Sequence, residues 1–270
     1  MKDVLVHLDG GDRVQARLDL AIALAKRNGA RLTGLFAQAE SHGPAVIARR
    51  ASDQLIAARE RVESLFHHRL ADSGLAWRWW SLAHGEPGHV VAETVFCARY
   101  CDVAVFGQTE SDDPRIPSDL LEQVIMNSGR PALIVPYSGD FPSVAESICL
   151  AWNGSREASR ALHDALPLLK RAHQVHLLAI RDTGPGGHRP NTVPQVDIVA
   201  HLRAHGVPVH SERLAGADSG VMDLLLTRSF ELGADLLVMG AHGGLGMGFL
   251  RGAGTRFMLR HMTMPVMMSN

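Results

Sequence analysis

Val4-Leu5-Val6-His7-Leu8-Asp9-Gly10-Gly11 has a counterpart later in the chain, Ile148-Cys149-Leu150-Ala151-Trp152-Asn153-Gly154-Ser155. Each is a short apolar run closed by Asp or Asn, then small residues, then a helical pattern. After the first come Leu18, Ala21, Ile22, Leu24 and Ala25 on one face; after the second come Leu162, Ala165, Leu166, Leu168 and Leu169. The later segments repeat too. Asp102-Val103-Ala104-Val105-Phe106-Gly107 matches Asp235-Leu236-Leu237-Val238-Met239-Gly240, and Pro131-Ala132-Leu133-Ile134-Val135 matches Pro265-Val266-Met267-Met268. Self-similarity over nearly the whole chain means the fold is used twice. The seam is the turn-forming stretch Ser138-Gly139-Asp140-Phe141-Pro142-Ser143, extending to Ser147. The expected domains are therefore 1–140 and 145–270.

Within each half the pattern alternates strand and helix. Helices are expected over roughly 13–28, 45–73, 88–99 and 117–127, then over 156–171, 194–205, 219–232 and 249–262. The strands between them are near-continuous apolar runs, as strands covered on both faces require. Such alternation gives an α/β fold, here two tandem, doubly wound, five-stranded parallel sheets with right-handed crossovers and strand order 3-2-1-4-5. Ligands of such sheets sit beyond the carboxyl ends of the strands, where strand order reverses. That places Asp9 with Gly10, Asn153 with Gly154, Gly107 and Gly240 at the expected crevices.

Composition narrows the function classes. The 270 residues are 46% hydrophobic and 20% charged, enough for a substantial core. Lys and Arg number 27 against 28 Asp and Glu, a net charge of -1 that gives no support to nucleic-acid or anionic-membrane binding. No stretch approaches the ~18 consecutive apolar residues of a membrane span. Met1-Lys2-Asp3-Val4 does not read as a signal peptide. Cys97 and Cys101, expected on one helix, and Cys149, expected in a strand, read as reduced core thiols. A cytoplasmic location is the expectation.

The richest segment is Gly240-Ala241-His242-Gly243-Gly244-Leu245-Gly246-Met247-Gly248, followed by Phe249-Leu250-Arg251-Gly252-Ala253-Gly254-Thr255. Glycines let main chain approach a phosphate, and amides at a helix N-terminus supply donors and partial positive charge. The segment is neither a P-loop nor a first-turn dinucleotide fingerprint. With Leu259-Arg260-His261-Met262, Pro265-Val266 and the opening Ala151-Trp152-Asn153-Gly154-Ser155-Arg156-Glu157, it resembles the universal stress protein family, in its tandem-domain form.

The resemblance implies a Rossmann-like, adenine nucleotide α-hydrolase-like domain, with pairs of domains joined through their last strands. One class of the family binds ATP through Gly-x-x-Gly, nine residues, then Gly followed by Ser or Thr. By that resemblance, an acid closing the first strand holds the nucleoside and main chain of the second strand meets adenine. Here Gly240 and Gly243 match the first pair. Gly252 then leaves a spacer of eight with Ala253 at the hydroxyl position, whereas Gly254-Thr255 restores the hydroxyl with a spacer of ten. Asn153 replaces the acid and Ile180 takes the adenine-facing position. The implied site is thus Asn153, Gly154, Ser155, Ile180, Gly240, His242, Gly243 and Gly252 through Thr255, with ATP and Mg²⁺ as ligand. Half one keeps Asp9, Gly10 and Gly107, but Glu110, Asp112 and Asp113 stand where phosphate would lie and repel it. It reads as a degenerate, structural or differently liganded copy.

The remaining features have plainer readings. His201 and His205 are spaced to share a metal, yet no further ligand lies near in sequence. His67 and His68 point to different helix faces. His84 and His89 flank Gly85-Glu86-Pro87-Gly88, a structural turn with a place on the first crevice wall as the alternative for His84. Trp77 and Trp79 share one face of an edge strand and Trp80 the other, packing on the helix over 45–73. Asp182 through Pro190 reads as a mobile loop placed to cover the crevice.

Three functions compete. The first is a non-enzymatic, nucleotide-responsive stress protein that self-associates, as a homodimer or through its paired domains. The second is a scaffold or small-ligand-binding protein of the same fold. The third is an enzyme on phosphate esters, for which no catalytic residues and no metal ligands are assigned; His242 is the one acid/base candidate in the glycine segment.

Overall fold

The computed structural model describes residues 1–40, 49–109, 113–182, 197–216, 220–242 and 252–270. The chain divides into two compact units, Met1–Pro142 and Ser143–Asn270. In the first, β1 (Asp3–Leu8), β2 (Arg31–Phe36), β3 (Trp77–Ser81), β4 (Val103–Gly107) and β5 (Ala132–Val135) form a parallel sheet of order β3-β2-β1-β4-β5. In the second, β6 (Ser147–Trp152), β7 (Gln174–Asp182), β8 (Val209–Gly216), β9 (Leu236–Gly240) and β10 (Val266–Ser269) take the order β8-β7-β6-β9-β10. Both are the 3-2-1-4-5 order that the alternating pattern predicts. Val4 pairs with Leu32 and Val103, as Ile148 pairs with Val175 and Leu236.

The central strands are buried on both faces: Val4, Leu5, Val6 and Leu8 have no exposed surface, nor do Ile148, Cys149 and Leu150. Between them run α1 (Val14–Asn28), α2 (Asp53–Leu70), α3 (Pro87–Ala98) and α4 (Leu120–Asn127) in the first unit. The second unit has α5 (Arg156–Leu169), α6 (Ile198–Ala204), α7 (Val221–Glu231) and α8 (Ala253–His261). Helix ends follow local chemistry. Gly29 closes α1 in the left-handed region, φ 57°, donating its N–H to the carbonyls of the last turn. Ser52 caps α2 by accepting the Leu55 N–H at 3.1 Å. The Glu86 carboxylate caps α3, accepting the Gly88 and His89 N–H groups at 2.9 and 2.7 Å, with Pro87 in the first turn.

These caps shorten several expected helices. The helix expected from 45 begins at Asp53, because Ser52 caps it, and 41–48 lie outside the described residues. The one expected from 117 begins at Leu120, after a turn in which Leu120 N–H reaches the Pro117 carbonyl. Asp197 starts α6 by accepting the Val199 N–H at 2.8 Å. Cys101 is not on a helix with Cys97, a correction: α3 stops at Ala98, and the chain turns so that Cys101 packs into the core ahead of β4. All three cysteines are free thiols.

The two units share a tie between their first and fourth strands. Asp102, just before β4, accepts the main-chain N–H groups of Lys2 and Asp3 at 2.5 and 3.1 Å. Asp235, just before β9, accepts those of Glu146 and Ser147, each at 3.0 Å. One carboxylate in each unit thus ties the start of the fourth strand to the start of the first. Trp77 and Trp79 lie against Phe66 of α2, with ring centroids 5.8 and 5.2 Å away, while Arg78 covers the Trp80 ring at 4.8 Å.

Candidate functional site

Each unit has a solvent-open crevice where its first and fourth strands diverge. Both begin with the same turn. In the first, Asp9 Oδ1 accepts the Gly11 N–H at 2.7 Å; in the second, Asn153 Oδ1 accepts the Ser155 N–H at 3.1 Å. The carboxyl or amide closing the strand is therefore used to shape the loop before it can serve a ligand. Ser155 then caps α5, accepting the Ala158 N–H at 3.1 Å.

The second crevice, about 540 Å³, is lined by Asn153, Ser155, Gly240, His242, Gly252, Gly254 and Thr255 on its polar side. Ala151, Met222, Leu225 and Met239 supply an apolar side, and Glu157 a carboxylate. Helix α8 opens into it. Gly252, at φ 87°, is its N-cap residue and offers no side-chain cap, and Gly252, Gly254 and Thr255 at this helix start line the crevice. The start of α8 at Ala253 puts Gly252, not Gly254, at the cap. Thr255 instead sits in the first turn, buried, and its Oγ1 accepts the His242 N–H at 2.8 Å. His242 itself is held at φ 56°, an uncommon conformation for a residue with a side chain.

The glycines have different causes. A β-carbon on Gly240 would lie 2.6 Å from Ala158 N and from the Glu157 carbonyl carbon, so this glycine lets β9 meet the start of α5. A β-carbon on Gly252 would lie 2.6 Å from His242 Nδ1. A β-carbon on Gly254 would meet the flexible end of Met222, at 3.2 Å, a neighbour that can shift by a few tenths of an ångström. Gly154 adopts φ 75° and is exposed in the turn after β6. Ile180 lies in β7, its main chain paired with Leu214; the β6–β7 ladder ends at Trp152 with Ala179. Of the loop expected over 182–190, Asp182 belongs to β7, and 183–190, like Gly243, lie outside the described residues.

The first crevice, about 730 Å³, brings together Asp9 and Gly107, as expected, with His7, Gly11, Arg13, Arg17, Arg115 and Tyr137. Gly10 lies beside it, its N–H donated to Gln38 Oε1 at 2.8 Å. Arg17 occupies its floor: Nη2 meets Asp9 Oδ2 at 2.5 Å, and the guanidinium lies where a side chain on Gly107 would be. Burial works to raise the Asp9 pKa, but Arg17, His7 and the Gly11 amide together hold it below the usual carboxylate range. Burial, with Arg17 second, pushes His7 down to about 4, so it is neutral at physiological pH. Asp113 forms a two-point ion pair with Arg115, at 2.8 and 3.0 Å. Glu110 and Asp112 lie outside the described residues. His84 does not line this crevice; its ring stacks on His89 at 4.0 Å.

Sequence reasoning missed Arg17 and Arg115 in the first crevice and Glu157, Met222 and Met239 in the second. Arg17 carried a signal: with Ala21, Leu24 and Asn28 it lies on the buried stripe of α1, where an unpaired charge is not tolerated. Arg115 carried none, because it reaches the crevice through an irregular loop. His201 and His205 have ring centroids 4.7 Å apart, and among the described residues no group of three or more His, Cys, Asp or Glu is arranged to hold a metal.

Fold and site together define a class: tandem, doubly wound α/β domains, each with a crevice at the carboxyl edge of its sheet. Residues 145–270 match the universal stress protein family. A universal stress protein from Archaeoglobus fulgidus has the same fold over 99% of this chain and 98% of its own, at 18% identity and a TM-score of 0.71. A functionally unknown protein from Pseudomonas aeruginosa PAO1 does so over 100% and 92%, at 15% identity and a TM-score of 0.56. No curated protein matches the chain by sequence. Residues 145–270 thus belong to the universal stress protein family, and the same strand order occurs twice in the chain. Among the described residues no helix is long and apolar enough to cross a membrane.

Proposed function

We propose that the second domain binds an adenine nucleotide, ATP with Mg²⁺, and that the protein acts by this binding, in the cytoplasm, rather than by catalysis. The observation that carries the reading is the N-terminus of α8. It opens into a crevice edged by Gly252, Gly254 and Thr255 and has no side-chain cap. Main-chain amides at the positive end of a helix suit a phosphate without any basic side chain, and at Gly254 no side chain stands in the way. Asn153, with Oδ1 committed to Ser155, offers its Nδ2 to a ribose hydroxyl, while Met222, Leu225 and Met239 provide apolar surface for a base. Glu157 would repel a bare triphosphate and favours one that carries a divalent cation.

Binding of ATP and ADP with Mg²⁺ to the full chain, by calorimetry, tests this. Gly254→Asp places a carboxylate where phosphate is to sit, yet suits the first turn of a helix. The expected result is binding to the parent and a loss of at least about tenfold in the variant. Equal affinities, or no binding at millimolar ATP, would overturn the reading in favour of a scaffold or a binder of other small ligands. Size-exclusion chromatography with and without ATP reports whether binding changes self-association.

A further inference from the structure

The first crevice is not an empty copy of the second. Its floor carries Arg17, whose residue surface is only 5% exposed. Arg17 spends Nη2 on Asp9, but its Nε is buried with no hydrogen-bond partner. Arg13, beside it on the wall, donates Nη2 to the Gly139 carbonyl, and its Nε too is buried and unpartnered. A buried donor left unmade is costly, and the two arginines that carry these donors both line this crevice.

Charge says what kind of acceptor. Arg17 is neutralised by Asp9 and Arg115 by Asp113, and His7 is neutral. Asp12 is exposed. Among the described residues Arg13 makes no ion pair and donates to the Gly139 carbonyl, so it is the guanidinium of this wall that can take up one negative charge. A nucleotide fits poorly: the Asp9 carboxylate already holds both Arg17 and the Gly11 amide, and the Asp113 and Asp12 carboxylates oppose a polyanion. The opposite wall is apolar, made of Phe106, Ile116, Leu120, Leu121 and Val135.

We propose that the first domain's crevice is a receptor for a small organic monocarboxylate, its oxygens taken by Arg13 and Arg17 and its apolar body laid on Phe106, Ile116 and Leu120. The two domains then bind different ligands: an anion held by guanidinium donors in the first, a phosphate held by main-chain amides in the second. The site does not depend on nucleotide binding in the second domain.

Benzoate and its neutral isostere benzamide test the site on the full-length protein, by amide chemical-shift titration. Saturable shifts at Gly11, Gly107 and their neighbours with benzoate are expected, with benzamide at least about tenfold weaker, since a charge-assisted hydrogen bond is at stake. Arg13→Gln is expected to weaken benzoate by a similar factor and to leave ATP binding unchanged. Arg17→Gln should do the same, and Arg13→Gln keeps the test decisive should that variant fail to fold. Equal binding of benzoate and benzamide, tighter binding of inorganic phosphate, shifts confined to the second domain, or no saturation would each overturn the proposal.

Discussion

The main-chain N–H of His242 donates to Thr255 Oγ1 at 2.8 Å, joining the end of β9 to the first turn of α8 across a gap of thirteen residues. This bond fixes where the uncapped helix end stands relative to the strand. Thr255→Val removes the acceptor and leaves a part-buried donor, at an expected cost of about 1–3 kcal/mol. Thr255→Ser keeps the oxygen and should recover most of the loss. Urea unfolding of both variants, with ATP affinity measured alongside, checks the expectation; equal stability of the Val variant and the parent would refute it.

Gly240 presents a harder limit. Its missing β-carbon would stand 2.6 Å from main-chain atoms of Glu157 and Ala158, which cannot swing aside as a side-chain tip can. Gly240→Ala should therefore push β9 from α5 and destabilise the second domain by about 1–3 kcal/mol, as overpacking does. Gly254→Ala, facing only Met222, should fall within about 0.5 kcal/mol of the parent or gain from the better helix former. Thermal melts of the two variants check this; equal shifts would show the glycines to be interchangeable and refute the expectation.

Asp9 and Arg17 form a buried pair, each about 6% exposed in its side chain. Arg17→Met strands the carboxylate, and a loss of about 3–5 kcal/mol is expected. Adding Asp9→Leu to that variant removes the stranded charge and should restore part of the stability. A double-mutant cycle in urea measures the coupling, and additive effects would contradict the pair as described.

The first domain should be acid-sensitive. Unfolded histidine titrates near 6.5, whereas buried His7 is pushed down to about 4. Between those pH values the unfolded chain holds more protons, so stability falls as pH falls and levels off below the lower one. Asp9, also held low, contributes stability that is lost as the pH drops further through its own folded value. The His7 contribution is about 3 kcal/mol. His7→Gln should flatten the profile between pH 6.5 and 4 in chemical unfolding followed through the first domain.

Much of this protein was legible in its sequence because the deciding signal is local and repeated. Apolar runs such as Val4–Leu8 and Ile148–Leu150 bury themselves on both faces, and that alone selects a parallel sheet with helices over it. The carboxyl-edge positions of Asp9, Asn153, Gly107 and Gly240 followed from strand order. Helix ends were less legible, since Ser52 and Asp197 cap through side-chain geometry that no periodicity reports, and Gly252 starts its helix from a left-handed turn that periodicity reports no better.

The sequence by itself determined that one α/β fold occurs twice and where its two crevices open, since hydrophobic pattern and turn residues act along the chain. Only the tertiary structure decided what each crevice holds ready. Arg17 reaches Asp9 and Gly107 from a helix, Thr255 reaches His242 from another, and Gly240 answers to Ala158 rather than to a phosphate. Such pairings depend on distances between elements, and a buried charge or donor takes whichever partner folding brings within hydrogen-bond reach.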